Sequence, residues 1–217
     1  MKLRLPTLSL ALCVALCASA RADYRGADRG YLVFSVSSLG LKWGFGLKYR
    51  KLGEAEDAGE LSHDPDSFFS PKEDFSGRET GHVEVQSLRP GDYEIYRFDT
   101  GYHTGVSDAL VKNAEEFSIP FSIRPGGATY IGNFGGVKLI QDNMMHDIDK
   151  IYFVMSDRHE RDLEIAKQRQ PELPQATVSI MDVEKLGNPF FQTKEDCSEE
   201  LSTAFVTLYV ACKKAAP

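Results

Sequence analysis

From Phe117 to Ile123 the chain alternates without a break, with Phe117, Ile119, Phe121 and Ile123 on one side and Ser118, Pro120 and Ser122 on the other. A period of two belongs to a strand with one buried face; helical side chains return to the same face only every 3.6 residues. Pro120 has no N–H to give a ladder, which restricts this strand to an edge or a bulge. Arg124-Pro125-Gly126 follows, and Ala128 to Phe134 begins another strand. The same device stands 35 residues upstream, where Ser87-Leu-Arg-Pro-Gly-Asp-Tyr-Glu-Ile-Tyr96 nearly matches Ser122-Ile-Arg-Pro-Gly-Gly-Ala-Thr-Tyr-Ile131. Proline presets φ near −65° at the second position of a type II turn and glycine supplies a positive φ at the third. Two strands, each entering and leaving a Pro-Gly corner, constrain the chain toward a β fold.

Other segments agree. Tyr31 to Leu39 is rich in β-branched and aromatic residues, with Leu32, Phe34 and Val36 sharing a face. Gly44 to Leu52 follows with Phe45, Leu47 and Tyr49 on one side and lysines opposite, and the two runs are expected to pair through the turn around Gly40. His82 to Leu88, Asp92 to Phe98 and Lys150 to Met155 read as further strands, and Gly135 to Ile140 as the continuation or end of the strand from Ala128. Between Gly53 and Gly81 the pattern dissolves into acids, prolines and glycines with Phe68-Phe69 as the apolar anchor, so residues 53–81 are expected to form an acidic loop, mobile and outside the core from Glu54 to Asp74. Asp157-Arg-His-Glu160 resembles a capping box opening one helix over residues 157–170, ended by Pro171 and Pro174. Its narrow apolar face of Leu163, Ile165 and Ala166 places it on the surface. The run from Leu201 to Ala211 favours a strand, although Leu201, Phe205, Leu208 and Cys212 also fit helical spacing.

Residues 1–22 read as a cleaved signal peptide. Lys2 and Arg4 precede an apolar stretch from Leu8 to Ala18, and Ala20-Arg21-Ala22 has the small-x-small form that signal peptidase accepts. The stretch is too short to anchor in a bilayer, which takes about 20 residues. Cys13 and Cys17 follow Leu12 and Leu16, not the small residue that lipid modification requires, so the expected product is not a lipoprotein. It is an exported chain from Asp23, with no membrane span, periplasmic in preference to extracellular. The segment holds Lys2, Arg4 and Arg21 and no acid; of 25 basic and 32 acidic residues, the remainder therefore keeps 22 and 32, a net charge of −10. That balance argues against nucleic acid and anionic membrane surfaces as partners. Residues 23–217 suffice for one core and are read as a single β-rich domain. Two cysteines remain, Cys197 and Cys212, an even pair in an exported chain and hence a candidate disulfide. Were residues 198–211 one straight helix or strand, its ends would lie about 20 Å or more apart, beyond disulfide reach, so the bridge requires a bend within the segment.

The stretch Leu88-Arg-Pro-Gly-Asp-Tyr-Glu-Ile-Tyr96 resembles the Pro-Gly-x-Tyr signature of transthyretin-like or carboxypeptidase-regulatory-like β-sandwich modules, and Pro125-Gly-Gly-Ala-Thr-Tyr-Ile-Gly132 is similar to a phrase in bacterial exported proteins. The resemblance covers Tyr31 to Met155 and implies a fold: an antiparallel β-sandwich, mainly β, with one surface helix after the main sheets. A fold alone assigns no function.

Chemistry-bearing patterns are sparse. Four of the five histidines stand beside acids, as in His63 with Asp64 and Asp66 or His82 with Glu84, without the spacing that sets two metal ligands on one side of an element; they read as polar side chains facing solvent. His82 and Glu84 do share a strand face, and a site would form there if His103 lay on a neighbouring strand. No Gly-x-Ser-x-Gly elbow or Ser-x-x-Lys occurs, and the acidic stretch lacks a calcium-loop array. The expectation is therefore no catalytic residue, no metal and no cofactor. Arg97 to Gly105 combines aromatics, glycines and polar groups at a strand end or loop, which makes Phe98, Tyr102 and His103 the candidate binding residues. The leading reading is an exported envelope accessory protein, a non-catalytic binding or structural module recognising a protein or polysaccharide. The alternative is a hydrolase acting on an envelope polymer through an unrecognised acidic or histidine site.

Overall fold

Tyr31 to Ser38 is buried residue after residue, on both faces of one strand. The computed structural model describes residues 28–39, 44–65, 71–75, 79–103, 108–112, 116–140, 148–188, 190–193, 197–201 and 208–212; the expected signal peptide and Phe68-Phe69 lie outside them. The elements in chain order are β1 (Gly30–Leu39), β2 (Phe45–Lys51), β3 (Glu54–His63), β4 (Glu79–Leu88), β5 (Gly91–His103), β6 (Asp108–Lys112), β7 (Ile119–Ile123), β8 (Ala128–Ile140), β9 (Ile148–Ser156), α1 (His159–Arg169), β10 (Ala176–Val178), α2 (Val183–Leu186), β11 (Phe191–Thr193), β12 (Cys197–Leu201) and β13 (Leu208–Cys212). The protein is mainly β. Among the described residues no helix is long and apolar enough to cross a membrane.

Two sheets carry the fold. Sheet A has the order β11-β9-β8-β1-β4, with β10 also on β8; sheet B has the order β3-β2-β5-β6, with β7 also on β5. Sheet B is antiparallel throughout. Sheet A is mixed, because β1, β10 and β11 run parallel to their neighbours β8, β8 and β9, which corrects the expectation of a purely antiparallel architecture. The expected pairing of β1 with β2 also fails. β1 lies between β4 and β8, where both its faces can be covered, while β2 pairs with β3 and β5 in the other sheet.

The inner faces of the two sheets share one core. Leu32, Phe34, Val36, Ile131, Phe134 and Phe153 of sheet A meet Phe45, Leu47, Leu61, Ile95, Phe98 and Phe121 of sheet B. Each such side chain contributes about 1.5–3 kcal/mol by leaving water. Phe45 and Phe98 pack on Phe153 with ring centroids 5.1 and 5.3 Å apart, so the contact between sheets is aromatic at its centre. A second core lies on the outer face of sheet A, where Tyr31, Val33, Val83, Ala128 and Tyr130 are covered by Ala166 of α1 and by Leu173.

The expected acidic loop is in its first part a strand. β3 forms a hairpin with β2 through Gly53, at φ 83°, and its Leu61 and His63 are buried. Lys48 stands opposite Glu60, so charges that read as loop composition are cross-strand partners on an edge. The helix lies within the expected range. Asp157 accepts from the His159 N–H at 3.0 Å, the N-cap is Arg158, and the anticipated reciprocal capping box does not form. At the C-terminus β12 and β13 pair antiparallel and place Cys197 opposite Cys212, which supplies the bend that a bridge requires.

Both Pro-Gly corners move the chain between sheets. The first joins β4 of sheet A to β5 of sheet B; the second joins β7 of sheet B to β8 of sheet A. They sit side by side, since Gly91 is the register partner of Ile123. The Tyr93 hydroxyl donates to the Arg89 carbonyl at 2.8 Å, the arrangement of a tyrosine corner, and the Gly127 N–H donates to the Arg124 carbonyl at 3.2 Å to close the second turn. Gly91 and Gly126 have φ of 147° and 63°.

Helix α1 docks through a buried acid. Asp162, fully buried, accepts from the Ser35 hydroxyl at 2.5 Å, the Tyr130 hydroxyl at 2.7 Å and Arg161 Nε at 2.8 Å. Asn133 Nδ2 donates to Ser35 Oγ at 2.8 Å and extends the network along the sheet. Burial, reinforced by the neighbouring Asp162, pushes the Tyr130 phenol far above its ordinary value of 10.0.

Two predictions follow from these contacts. Gly126→Ala meets no neighbouring atom and carries only the left-handed backbone strain, so it should cost about 1–2 kcal/mol in urea unfolding; Gly91→Ala should cost more, because its Cβ would also displace the Lys51 side chain. For Tyr130 the folded state holds its proton more tightly than the unfolded chain. Its stabilising contribution is therefore complete below about pH 10 and is lost as pH rises from there toward the folded value. Tyr130→Phe should lose about 1.5–3 kcal/mol at neutral pH and show a shallower alkaline decline than the wild type, read from unfolding midpoints across that range.

Candidate functional site

Polar side chains collect in two places besides the α1 network. The first is inside. On the inner faces of β1, β3 and β4, Ser38, His63, Thr80, His82, Glu84 and Gln86 are all buried. Ser38 Oγ lies 3.0 Å from His63 Nε2 and 3.3 Å from Thr80 Oγ1. His82 Nε2 faces Glu84 Oε1 at 3.5 Å, and the two imidazole rings stand 5.9 Å apart at 30°. Gln86 Nε2 donates to Glu84 Oε2 at 2.9 Å and to the Glu60 carbonyl at 3.2 Å, while the Tyr49 hydroxyl donates to Gln86 Oε1 at 2.7 Å. The cluster links sheet A to sheet B through hydrogen bonds where the apolar core thins. His63 is 1% and His82 2% exposed, so a substrate in water does not reach them.

The sequence placed His82 and Glu84 on one face, and they are on one face. His63 stands beside them. β5, which carries His103, pairs with β2, β6 and β7 and never with β4. His63, expected to face solvent, is in the core because β3 continues past the charged half of the hairpin into the inter-sheet space. Among the described residues no group of three or more His, Cys, Asp or Glu is arranged to hold a metal ion.

The second place is the outer face of sheet B, which carries no helix among the described residues. A bulge in β5 shapes it. Lys48 pairs with Arg97 and Tyr49 with Ile95, leaving Tyr96 as the extra residue; its carbonyl accepts from the Phe117 N–H at 3.1 Å. Ile95 and Phe98 consequently both face the core, while Tyr96 and Arg97 are both partly exposed. The Arg50 guanidinium lies over the Tyr96 ring at 4.3 Å and that of Arg97 at 5.7 Å. Arg50 also bonds Glu94 at 2.8 Å and Glu116 at 2.9 Å. Beside this group Lys48 Nζ meets Asp99 Oδ2 at 2.8 Å, and that bond holds the ammonium above its usual value. The Glu60 carboxylate lies down over Gly46, in the space a side chain there would need, and the partial loss of water at that position raises its affinity for a proton although the residue as a whole is exposed.

The structure separates the three candidate binding residues. Phe98 is 1% exposed and packs between Phe153 and Phe190, so it supports the core and presents nothing to a partner. Alternation continued from Tyr93 and Ile95 would turn it outward; the bulge reverses the parity. Tyr102 and His103 belong to the end of β5, where they pair with Ala109 and Asp108 of β6, and their side chains lie outside those described. Sequence reasoning missed Tyr96, Arg97 and Arg50 as a group. The adjacent Tyr96-Arg97 pair shares a face only because of the bulge, and nothing local in the sequence announces it.

Comparison with known proteins adds no family. No protein-family description matches the chain, and no curated protein matches it. Among solved structures, a leucine-rich repeat protein from Bacteroides thetaiotaomicron aligns with 50% of this chain at 12% identity and a TM-score of 0.30, and the chain spans 14% of that protein's length. A likeness of that size carries no argument about fold or function.

Proposed function

We propose that the mature chain is an exported accessory module of the bacterial envelope, a β-sandwich that binds a protein or polysaccharide partner without catalysis of its own. The observation that carries this reading is the outer face of sheet B. A half-buried tyrosine lies against two guanidiniums, one of them also bonded to Glu94 and Glu116, a composition suited to polar recognition. The sealing of His63, His82 and Glu84 supports the same side, because acid–base work on a polymer needs groups that the polymer can touch. The Pro-Gly corners and the two-sheet core support kinship with transthyretin-like or carboxypeptidase-regulatory-like modules, although the parallel pairings in sheet A depart from a minimal module.

One observation favours the hydrolase reading. Glu60 holds its proton more tightly than an ordinary carboxyl, near an Asp99 clamped by Lys48, and carboxyls with divergent environments are the raw material of general acid catalysis.

Co-sedimentation with purified envelope polysaccharide and with detergent-extracted envelope proteins separates the two readings. The binding module should pellet with one of them, and Tyr96→Ala combined with Arg97→Ala should weaken capture about tenfold or more with little change in thermal midpoint. Release of reducing ends from the polysaccharide, abolished by Glu60→Gln, would replace this proposal with the hydrolase.

The exported state and the cysteine bridge are tested by one measurement. The intact mass of the protein recovered from the periplasm should correspond to a chain beginning at Asp23, unlipidated, with Cys197 and Cys212 oxidised and released as two thiols by reductant. A mass that retains residues 1–22, or free thiols before reduction, would remove the corresponding part of the reading.

A further inference from the structure

Among the described residues no strand pairs with the side of β4 away from β1, and part of that side is closed by a clasp. The Asp74 N–H donates to the Gly81 carbonyl at 2.8 Å, and the Gly81 N–H donates to the Phe75 carbonyl at 3.3 Å. Two residues further along, the Val83 N–H donates to Asp74 Oδ2 at 2.7 Å and the Val83 carbonyl accepts from Arg169 Nη1 at 2.6 Å. Arg169 is also ion-paired with Asp74 itself. The Arg161 guanidinium, two turns earlier on α1, covers the Phe75 ring at 3.8 Å. Both backbone groups of Gly81 and both of Val83 are thus satisfied on the side away from β1, half by a two-residue segment and half by side chains.

β3 and β4, one end strand from each sheet, are protected differently. β3 carries Glu54, Glu56, Asp57 and Glu60, a charge density that discourages a second strand from pairing. β4 reads Glu-Thr-Gly-His-Val-Glu-Val-Gln-Ser-Leu, with β-branched residues, no proline and two separated acids, which is a good pairing sequence. An identical edge on another molecule is its natural complement. Two antiparallel copies of β4 would meet about a twofold axis and satisfy each other's backbone groups.

We propose that Asp74 and Phe75, held by Arg161 and Arg169, form a clasp that blocks pairing of β4 with the β4 of a second copy of this chain. Removing the clasp exposes that edge and converts the monomer to an edge-paired dimer. The inference is independent of the binding face proposed above, since the clasp lies on sheet A and the Tyr96 group on sheet B.

The test is sedimentation velocity of the mature protein over a range of concentrations, joined to amide hydrogen exchange at Val83. The wild type should remain monomeric with a protected Val83 amide. Asp74→Ala combined with Arg169→Ala should raise the association constant at least about tenfold, with Val83 unprotected in the dilute monomer and protected again in the dimer. Lys167→Ala, which removes a cation from the exposed face of α1, should leave the protein monomeric. Asp74→Asn retains an acceptor for the Val83 N–H while losing the ion pair, so it should fold and associate to an intermediate degree; it decides the matter if the double variant is unstable. A double variant or Asp74→Asn that stays monomeric at every concentration, or a wild type already dimeric through β4, would overturn the proposal.

Discussion

A strand whose two faces are both buried needs a cover on each side, and covering β1 organises the rest of this protein. Its inner residues Leu32, Phe34 and Val36 require sheet B; its outer residues Tyr31 and Val33 require α1 and the segment that follows it. Ser35 and Ser37 on the outer side add a second demand, because a buried hydroxyl without a partner costs about 1–3 kcal/mol. Asp162 meets it for Ser35, and in doing so fixes where the helix sits. The helix is therefore held by polar specificity at its centre and by the apolar contacts of Ala166, Leu163 and Ile165 around it.

The two Pro-Gly corners make that layered arrangement possible within a short chain. Each carries the backbone from one sheet to the other, and both lie at the same end, where Tyr31 N–H and the Arg29 carbonyl tie the start of β1 to the second corner through Gly127 and Gly126. The bulges then set which residues face which way. On β8 the irregularity around Ile131 and Gly132 lets Ile131 and Phe134, three residues apart, both join the inner core while Tyr130 and Asn133 both enter the outer polar network. On β5 the bulge at Tyr96 sends Phe98 inward and leaves Tyr96 and Arg97 together outside. The interior and the proposed binding face are consequences of the same local insertion.

Much of the strand inventory was legible. The alternation at Ile119, Phe121 and Ile123, the edge position imposed by Pro120, the corners at Gly91 and Gly126 and the helix ended by Pro171 all depend on local steric and hydrogen-bonding rules, which a sequence carries by itself. The segment from Glu54 to His63 was not legible as a strand. Its stability comes from the lysines of β2 opposite it and from burial of Leu61 and His63 between the sheets, and neither is visible in the composition of the segment itself.

The candidate sites divide the same way. That His82 and Glu84 share a face follows from the period of a strand; that His63 joins them, sealed from water, follows from how two sheets stack. Phe98 looked available because aromatics near a strand end often are, and the bulge placed it in the core. By itself the sequence determined the β character, the Pro-Gly corners, the helix and the spacing of two cysteines, since each rests on local pattern or on backbone conformations that neighbouring residues permit or forbid. Only the tertiary structure decided which strands became neighbours, which of them run parallel, to which sheet each corner leads and which polar groups are enclosed. Those outcomes depend on side chains far apart in the chain finding cover and hydrogen-bond partners at once, a condition that no local pattern encodes.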